Sequence, residues 1–227
     1  MASIFMIAGG KGGVGKTITG AGMVDTLQSK GRNILLIETD TSNPDVYKMY
    51  GESVSIAELI DLDNANGWID LVNICDQHRD HDVVINTGAR NEKGVVAYGE
   101  TLSSTLAEMN RKLITLWVIN RQRDSVELLK KYMEYMPESV THVIRNGYYG
   151  DELKFELYNN SKTREAIEKN GGKSLLFPDL ADRVSDDLYS KRLSIEAAMQ
   201  SLPLGNRAEL GRWRKEVHRV LAGILDE

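Results

Sequence analysis

Short runs of branched aliphatic residues recur along this chain, separated by longer stretches in which apolar side chains return every three or four positions. The short runs suit strands buried on both faces and the longer stretches suit amphipathic helices, so their alternation predicts βα units on a parallel sheet. Strands are predicted near 3–8, 33–38, 82–86, 113–119, 140–145 and 174–177. Between the first two, a helix is predicted from Thr17 to about Lys30, with Ile18, Ala21, Met23 or Val24, and Leu27 facing inward and Gly31 as its stop. Ser55 and Glu58 have capping-box spacing and predict a further helix there. Leu102, Leu106 and Met109 form one helical stripe, and Val126, Leu129, Tyr132 and Met133 form another. From Asn206 onward, Leu210, Trp213, Val217, Leu221 and Ile224 mark an amphipathic helix whose apolar stripe can pack on the body. No repeat, low-complexity run or linker marks a boundary, so residues 1–227 are read as a single three-layer α/β domain, a mostly parallel twisted sheet flanked by helices.

Composition narrows the picture. The 227 residues carry 28 Lys+Arg against 33 Asp+Glu, 41% apolar residues and only 20 Gly and 4 Pro, which excludes disordered and fibrous classes. The single Cys75 cannot close an internal disulfide, and MASIFMIAGG lacks the features of a signal peptide, so a cytoplasmic protein is expected. No run is long enough for a spanning helix, and the net charge of -5 restricts any nucleic-acid contact to a local patch.

Directly after the first strand stands GGKGGVGKT, residues 9–17, in which Gly10, Gly15, Lys16 and Thr17 satisfy G-x-x-x-x-G-K-[ST]. Glycines let successive backbone N–H groups turn around phosphate oxygens, and the helix that follows adds the positive end of its dipole. In such a loop Gly12, Gly13, Val14 and Gly15 wrap the phosphates, Lys16 neutralises them, and the Thr17 hydroxyl, followed by Ile18, ligates Mg²⁺.

The second lysine, Lys11, gives KGGVGKT, which resembles the deviant Walker A motif of ParA/MinD-type ATPases, a subgroup of the P-loop NTPase fold. The resemblance runs from residue 2 to about 180 and implies ATP/ADP and Mg²⁺ as ligands, weak ATP hydrolysis, and an ATP-sandwich homodimer in which Lys11 acts in trans. It also implies that Asp40, in LLIETDTSNPD, orients the attacking water or lies near Mg²⁺, while Glu38 stands where the family usually has a first Asp. An Asx turn leaving the strand is the simpler alternative for Asp40. In DHDVVINTGAR the Walker B Asp is replaced by Asn86, an amide that can hold a metal-bound water but carries no charge, and Asp40 or Glu38 can compensate. Gly88 would offer its N–H to the γ phosphate, and Asp82 reads as a strand-entry residue. The resemblance further assigns Asn146 to the adenine edge and Pro178 and Asp179, in LLFPDL, to the base pocket, although Pro followed by Asp is also an ordinary helix start.

Two further features carry less. Cys75, His78 and His81 have no fourth ligand at suitable spacing and read as solvated helix-end residues rather than a metal site. Between Ser190 and Arg219 lie seven Lys+Arg (Lys191, Arg192, Arg207, Arg212, Arg214, Lys215, Arg219) against three Glu. This run is a wet helix face, a non-specific DNA contact, or, less in keeping with the acidic end at Asp226 and Glu227, a membrane-binding tail. Within the family the chain looks most like accessory ATPases of plasmids, of the StbB and TraL kind, concerned with stability, positioning or conjugative transfer, and this resemblance implies a small DNA-binding partner protein.

Overall fold

The computed structural model describes residues 2–89 and 92–225. In chain order the first half runs β1 (Ile4–Ala8), α1 (Lys16–Ser29), β2 (Ile34–Glu38), α2 (Asp45–Tyr50), β3 (Ile56–Leu59), α3 (Ala65–Gln77), β4 (Asp82–Asn86), α4 (Glu92–Ser103) and α5 (Leu106–Met109). The second half runs β5 (Leu113–Ile119), α6 (Arg123–Tyr135), β6 (Val140–Asn146), α7 (Glu156–Asn159), α8 (Lys162–Lys169), β7 (Ser174–Phe177), α9 (Asp182–Lys191), α10 (Ile195–Ser201) and α11 (Leu204–Leu225). Among the described residues the strands form one sheet in the order β3-β2-β4-β1-β5-β6-β7, with every neighbouring pair parallel.

A parallel sheet must be covered on both faces, and the alternation of side chains along each strand divides the core accordingly. Phe5 and Ile7 on β1, Ile34 and Leu36 on β2, and Val84 on β4 face α1, α2 and α9 to α11. Ile4, Met6, Leu35, Ile37, Val83 and Ile85 point the other way, towards α3 to α8. The six predicted strands fall within a residue of their observed ends.

The helix predicted at Ser55 is not formed. Residues 56–59 are the strand β3, paired with the outer side of β2 in the register Leu35↔Ile56 to Glu38↔Leu59. The open edge of β2 offers a row of unpaired backbone groups, and satisfying them outweighs a capping box on a segment this short. Ser55 Oγ accepts from Ile34 N–H at 3.4 Å, a contact to the sheet rather than a helix cap. The helix of this region starts further on, where Asn64 Oδ1 accepts from Gly67 N–H at 3.1 Å.

Cys75 is also corrected. It lies wholly inside the core on the inner side of α3, where burial pushes its thiol up to about 12, while His78 and His81 stack edge to face with ring centroids 5.4 Å apart. Asp82, at the amino end of β4, accepts from Arg32 Nε at 2.6 Å and from Ser3 N–H at 2.9 Å, at the opposite end of the sheet from the phosphate loop.

Candidate functional site

In a parallel α/β sheet ligands bind beyond the carboxyl ends of the strands, and the sequence-predicted site residues all leave the sheet at that end. The loop between β1 and α1 is held in shape by its glycines. Gly13 (φ 74°) and Gly15 (φ 109°) occupy the left-handed region, and a Cβ on Gly15 would stand 2.3 Å from Asn146 Nδ2. The start of the loop is pressed against the body, for a Cβ on Gly10 would meet Leu128 at 2.3 Å. Gly12 differs: the nearest atom to its Cβ would be Ala89 Cβ at 3.8 Å, so the protein's own packing leaves room beside it. Val14 is fully buried and anchors the loop in the core.

Lys16 opens α1 and is only 8% exposed; its Nζ donates to Lys11 O at 2.9 Å, curling back over the loop. Burial lowers its pKa, opposed by the nearby carboxylates of Asp40 and Glu38. Thr17 and Ile18 follow in the first helical turn, Ile18 packing partly on the core. Lys11 reaches the amino end of α6, where its Nζ forms an ion pair with Asp124 and a hydrogen bond of 3.4 Å to Gln122 Oε1.

Beside Lys16 stands a buried polar pair. Glu38 and Asn86 are register partners at the last rung of β2 and β4, and Asn86 Nδ2 donates to both carboxylate oxygens of Glu38 at 3.0 Å. Glu38 is 0% exposed, Asp40 N–H donates to its Oε1 at 3.1 Å, and burial raises its pKa to about 7. Asn86 Oδ1 is buried with no hydrogen-bond partner, 3.1 Å from where a Cβ on Gly20 of α1 would lie. Asp40 Oδ1 accepts from Ser42 Oγ at 2.6 Å and Asn43 N–H at 3.0 Å, so the Asx-turn reading describes one of its oxygens. Gly88 N–H donates to Thr39 Oγ1 at 3.1 Å, tying the loop after β4 to the loop after β2. Arg90, which closes INTGAR, lies outside the described residues, as do Asp226 and Glu227.

On the other flank of the loop, Gly13, Gly15, Ile18, Asn146, Pro178 and Asp179 line a cleft of about 190 Å³. Asn146 Nδ2 donates to Val14 O at 2.8 Å and its Oδ1 accepts from Tyr148 N–H at 3.1 Å, so its amide already braces the phosphate loop. Tyr149, which the sequence reading did not single out, does the same by donating its hydroxyl to Gly13 O at 2.7 Å. Partial burial holds the Asp179 carboxyl above its usual range. The cleft is closed from behind by α11: Trp213 Nε1 donates to Pro178 O at 2.9 Å and its ring meets Phe177 edge to face at 5.8 Å. Nothing local to Trp213 announces this contact, because its partner lies 35 residues away.

The stripe Leu210, Trp213, Val217, Leu221 and Ile224 is 0 to 1% exposed, so α11 spends its apolar face on the core. Among the described residues, three of the seven cations of the basic run are committed to carboxylates: Lys191 to Asp187 at 2.6 Å, Arg212 to Glu209 at 2.7 Å, and Arg214 to Asp25 at 2.8 Å. Among the described residues, no helix is long and apolar enough to cross a membrane.

A parallel sheet of this order, with a glycine-rich loop after its central strand, is the MinD-like form of the P-loop fold. Residues 5–147 match the CobQ/CobB/MinD/ParA nucleotide binding domain, and the chain belongs to that family. It is 63% identical over 225 residues to Protein MobD of Acidithiobacillus ferrooxidans, covering 99% of each chain. It is 27% identical over 241 residues to Protein TraL of Escherichia coli, covering 100% of this chain and 98% of that one. Among solved structures it shares its fold with the MinD cell division protein of Aquifex aeolicus (TM-score 0.59, 15% identity, 98% and 97% covered). The same holds for the septum site-determining protein MinD complexed with Mg-ADP from Pyrococcus horikoshii OT3 (TM-score 0.57, 15% identity, 99% and 98% covered).

Proposed function

We propose that this chain is a slow ATP-dependent switch that binds Mg-ATP at the β1–α1 loop, closes into an ATP-sandwich homodimer and serves plasmid transfer or maintenance. The observation that carries the reading is the cradle itself: two left-handed glycines, open space beside Gly12, and a buried Lys16 at the start of a fourteen-residue helix. Backbone N–H groups and a desolvated lysine converging there suit a polyphosphate, whose charge the helix dipole also favours. The cleft beside Ile18, Asn146, Pro178 and Asp179 would receive the base.

The residues present also fit Mg²⁺. Thr17 supplies a hydroxyl, Asp40 a carboxylate that acts electrostatically on Lys16, and Asn86 a buried, unpartnered amide oxygen. When bound, the ion would supply positive charge to the β and γ phosphates. The chain's own groups do the rest. Lys16 neutralises phosphate charge, Asp40 orients the water, and Lys11, held away from its own cradle by Asp124, is available to the nucleotide of the partner subunit. Gly88 can donate to a phosphate only by exchanging its bond to Thr39, which makes the loops after β2 and β4 a natural sensor of nucleotide state.

Similarity along the whole chain to MobD and TraL, together with the resemblance to plasmid accessory ATPases, supports a role in transfer or stability with a small DNA-binding partner. The MinC:MinD complex of Aquifex aeolicus, whose MinD shares this fold, is the precedent for a partner protein. Residual cations such as Lys215 and Arg219 on α11 leave a weak non-specific DNA contact open to test. The burial of the α11 stripe argues against a membrane-binding tail.

A second reading, a recruitment module with negligible hydrolysis, is favoured by the neutral Asn86 at the Walker B position. Single-turnover measurement separates the two. Slow conversion of bound ATP to ADP supports the switch, ATP intact over hours in a dimer supports the module, and no heat of ATP binding in calorimetry with Mg²⁺ removes both.

A further inference from the structure

We propose that Glu38 and Asn86 work as one composite group: the carboxylate on β2 supplies the negative charge that the amide on β4 lacks, and the amide relays it to the metal side of the phosphate loop. This rests on the nucleotide reading above and names the part of that site responsible for its response to Mg²⁺.

The sheet register makes the pairing possible. Glu38 and Asn86 face each other on adjacent parallel strands, which lie about 4.8 Å apart, so their side chains leave the same face of the sheet together. Both oxygens of Glu38 accept from Asn86 Nδ2 at 3.0 Å. With the NH₂ committed to the carboxylate, the amide plane has one orientation, and Oδ1 must point away from Glu38. It lies buried against α1, beside Gly20 and within one turn of Thr17, where no described residue gives it a hydrogen bond. A buried amide oxygen without a partner is unusual in a folded protein and marks a place where an electropositive group belongs.

A carboxylate accepting from the NH₂ polarises the amide towards the form with more negative charge on oxygen, and hydrogen bonds in series strengthen one another in a poorly solvated site. Oδ1 of this Asn86 is therefore a better acceptor than an isolated Asn, and the charge of the ionised Glu38 sits one amide length behind it. Glu38 does not face the phosphate loop alone, for Asp40 N–H also donates to it, which locks the carboxylate to the exit of β2. Glu38 is thus a positioning residue that acts through Asn86, and Asn86 is the group that meets the metal's water.

The test is the gain in ATP affinity produced by Mg²⁺, measured as the ratio of Kd in EDTA to Kd in excess MgCl₂ with a fluorescent ATP analogue, alongside thermal melts. Glu38→Gln should cut that gain about tenfold, equivalent to about 1.4 kcal/mol, while leaving the EDTA affinity within about twofold. Glu38→Asp, which keeps the charge but withdraws it by one methylene, should lose part of the gain and keeps the test open should Glu38→Gln fold poorly. The transposed pair Glu38→Gln with Asn86→Asp returns the charge to β4 and should restore the gain to within a few-fold of wild type. A purely structural role for Glu38 would change melting without moving this ratio. A wild-type gain in Glu38→Gln or Glu38→Asp, or a transposed pair no better than Glu38→Gln while melting like wild type, overturns the composite role alone. Failure of the wild-type chain to bind the analogue in either buffer removes the nucleotide reading and this inference with it.

Discussion

Replacing Asp25 by Ala should unlatch the C-terminal helix from the helix that begins at the phosphate loop. Asp25 lies on α1 and is 1% exposed; its Oδ2 accepts from Arg214 Nε at 2.8 Å and is 2.7 Å from His218 Nε2, one turn further along α11. Arg214 also reaches Glu196 on α10 at 2.9 Å, so one guanidinium ties three helices together. Removing one partner from a fully buried ion pair costs about 3–5 kcal/mol. Here Arg214 and His218 keep 22% and 28% exposure and can rehydrate, and Arg214 retains Glu196, which brings the expectation to about 2–3 kcal/mol. At about 2–4 °C per kcal/mol for a chain of this size, Tm should fall by roughly 4–12 °C. Scanning calorimetry of Asp25→Ala, Arg214→Ala and the double variant gives the coupling directly, expected at about 1 kcal/mol or more. A Tm within about 1 °C of wild type, or strictly additive single effects, would refute the latch. Arg212→Ala is the control: its ion pairs with Glu209 and Glu216 are 53% exposed on its own side, and such pairs contribute about 0–1 kcal/mol.

The remaining predictions concern the site. In the nucleotide-free, metal-free chain, burial raises Glu38 from 4.5 to about 7, so the folded state holds a proton that the unfolded state has released between those values. The stability of wild type should therefore fall with rising pH across that window relative to Glu38→Gln, by on the order of 3 kcal/mol at 1.36 kcal/mol per pKa unit; parallel urea-melt profiles would contradict it. Trp213→Phe leaves Pro178 O without its indole donor and should cost about 1–3 kcal/mol, read by Tm, with weaker ADP binding because the same segment lines the cleft. Lys16→Ala should abolish tight ATP binding in calorimetry. Lys11→Ala should spare binding by the single chain and prevent ATP-driven dimerisation, so unchanged dimers in light scattering would remove the trans role.

Much of this was legible locally. A parallel strand buried on both faces must be nearly all aliphatic, and runs such as IFMIA and LITLWVI declare themselves without reference to the rest of the chain. The phosphate loop is equally local, because its glycines are demanded by backbone conformation within one turn. The basic tail was harder to judge. Its charges count alike in a sequence, but Arg214 is bound to a carboxylate 189 residues away, while Lys191 and Arg212 meet partners on their own helices. The helix α1 shows the same limit: the sequence predicts one inward side, whereas residues 19–27 are buried all round because α11 covers the face that would otherwise meet water.

What the amino-acid order determined by itself was therefore the set of strands, the βα alternation and the nucleotide cradle, each dictated by contacts within a few residues. What only the tertiary structure decided was set by neighbours distant in sequence. The open edge of β2 turned 56–59 into a strand despite a helix-capping signal, and the β2–β4 register placed Glu38 against Asn86 across 48 residues. The packing of α11 brought Trp213 to Pro178 and Arg214 to Asp25. A side chain's chemistry is written in its identity, but its charge state and its task depend on what burial and sheet register set beside it.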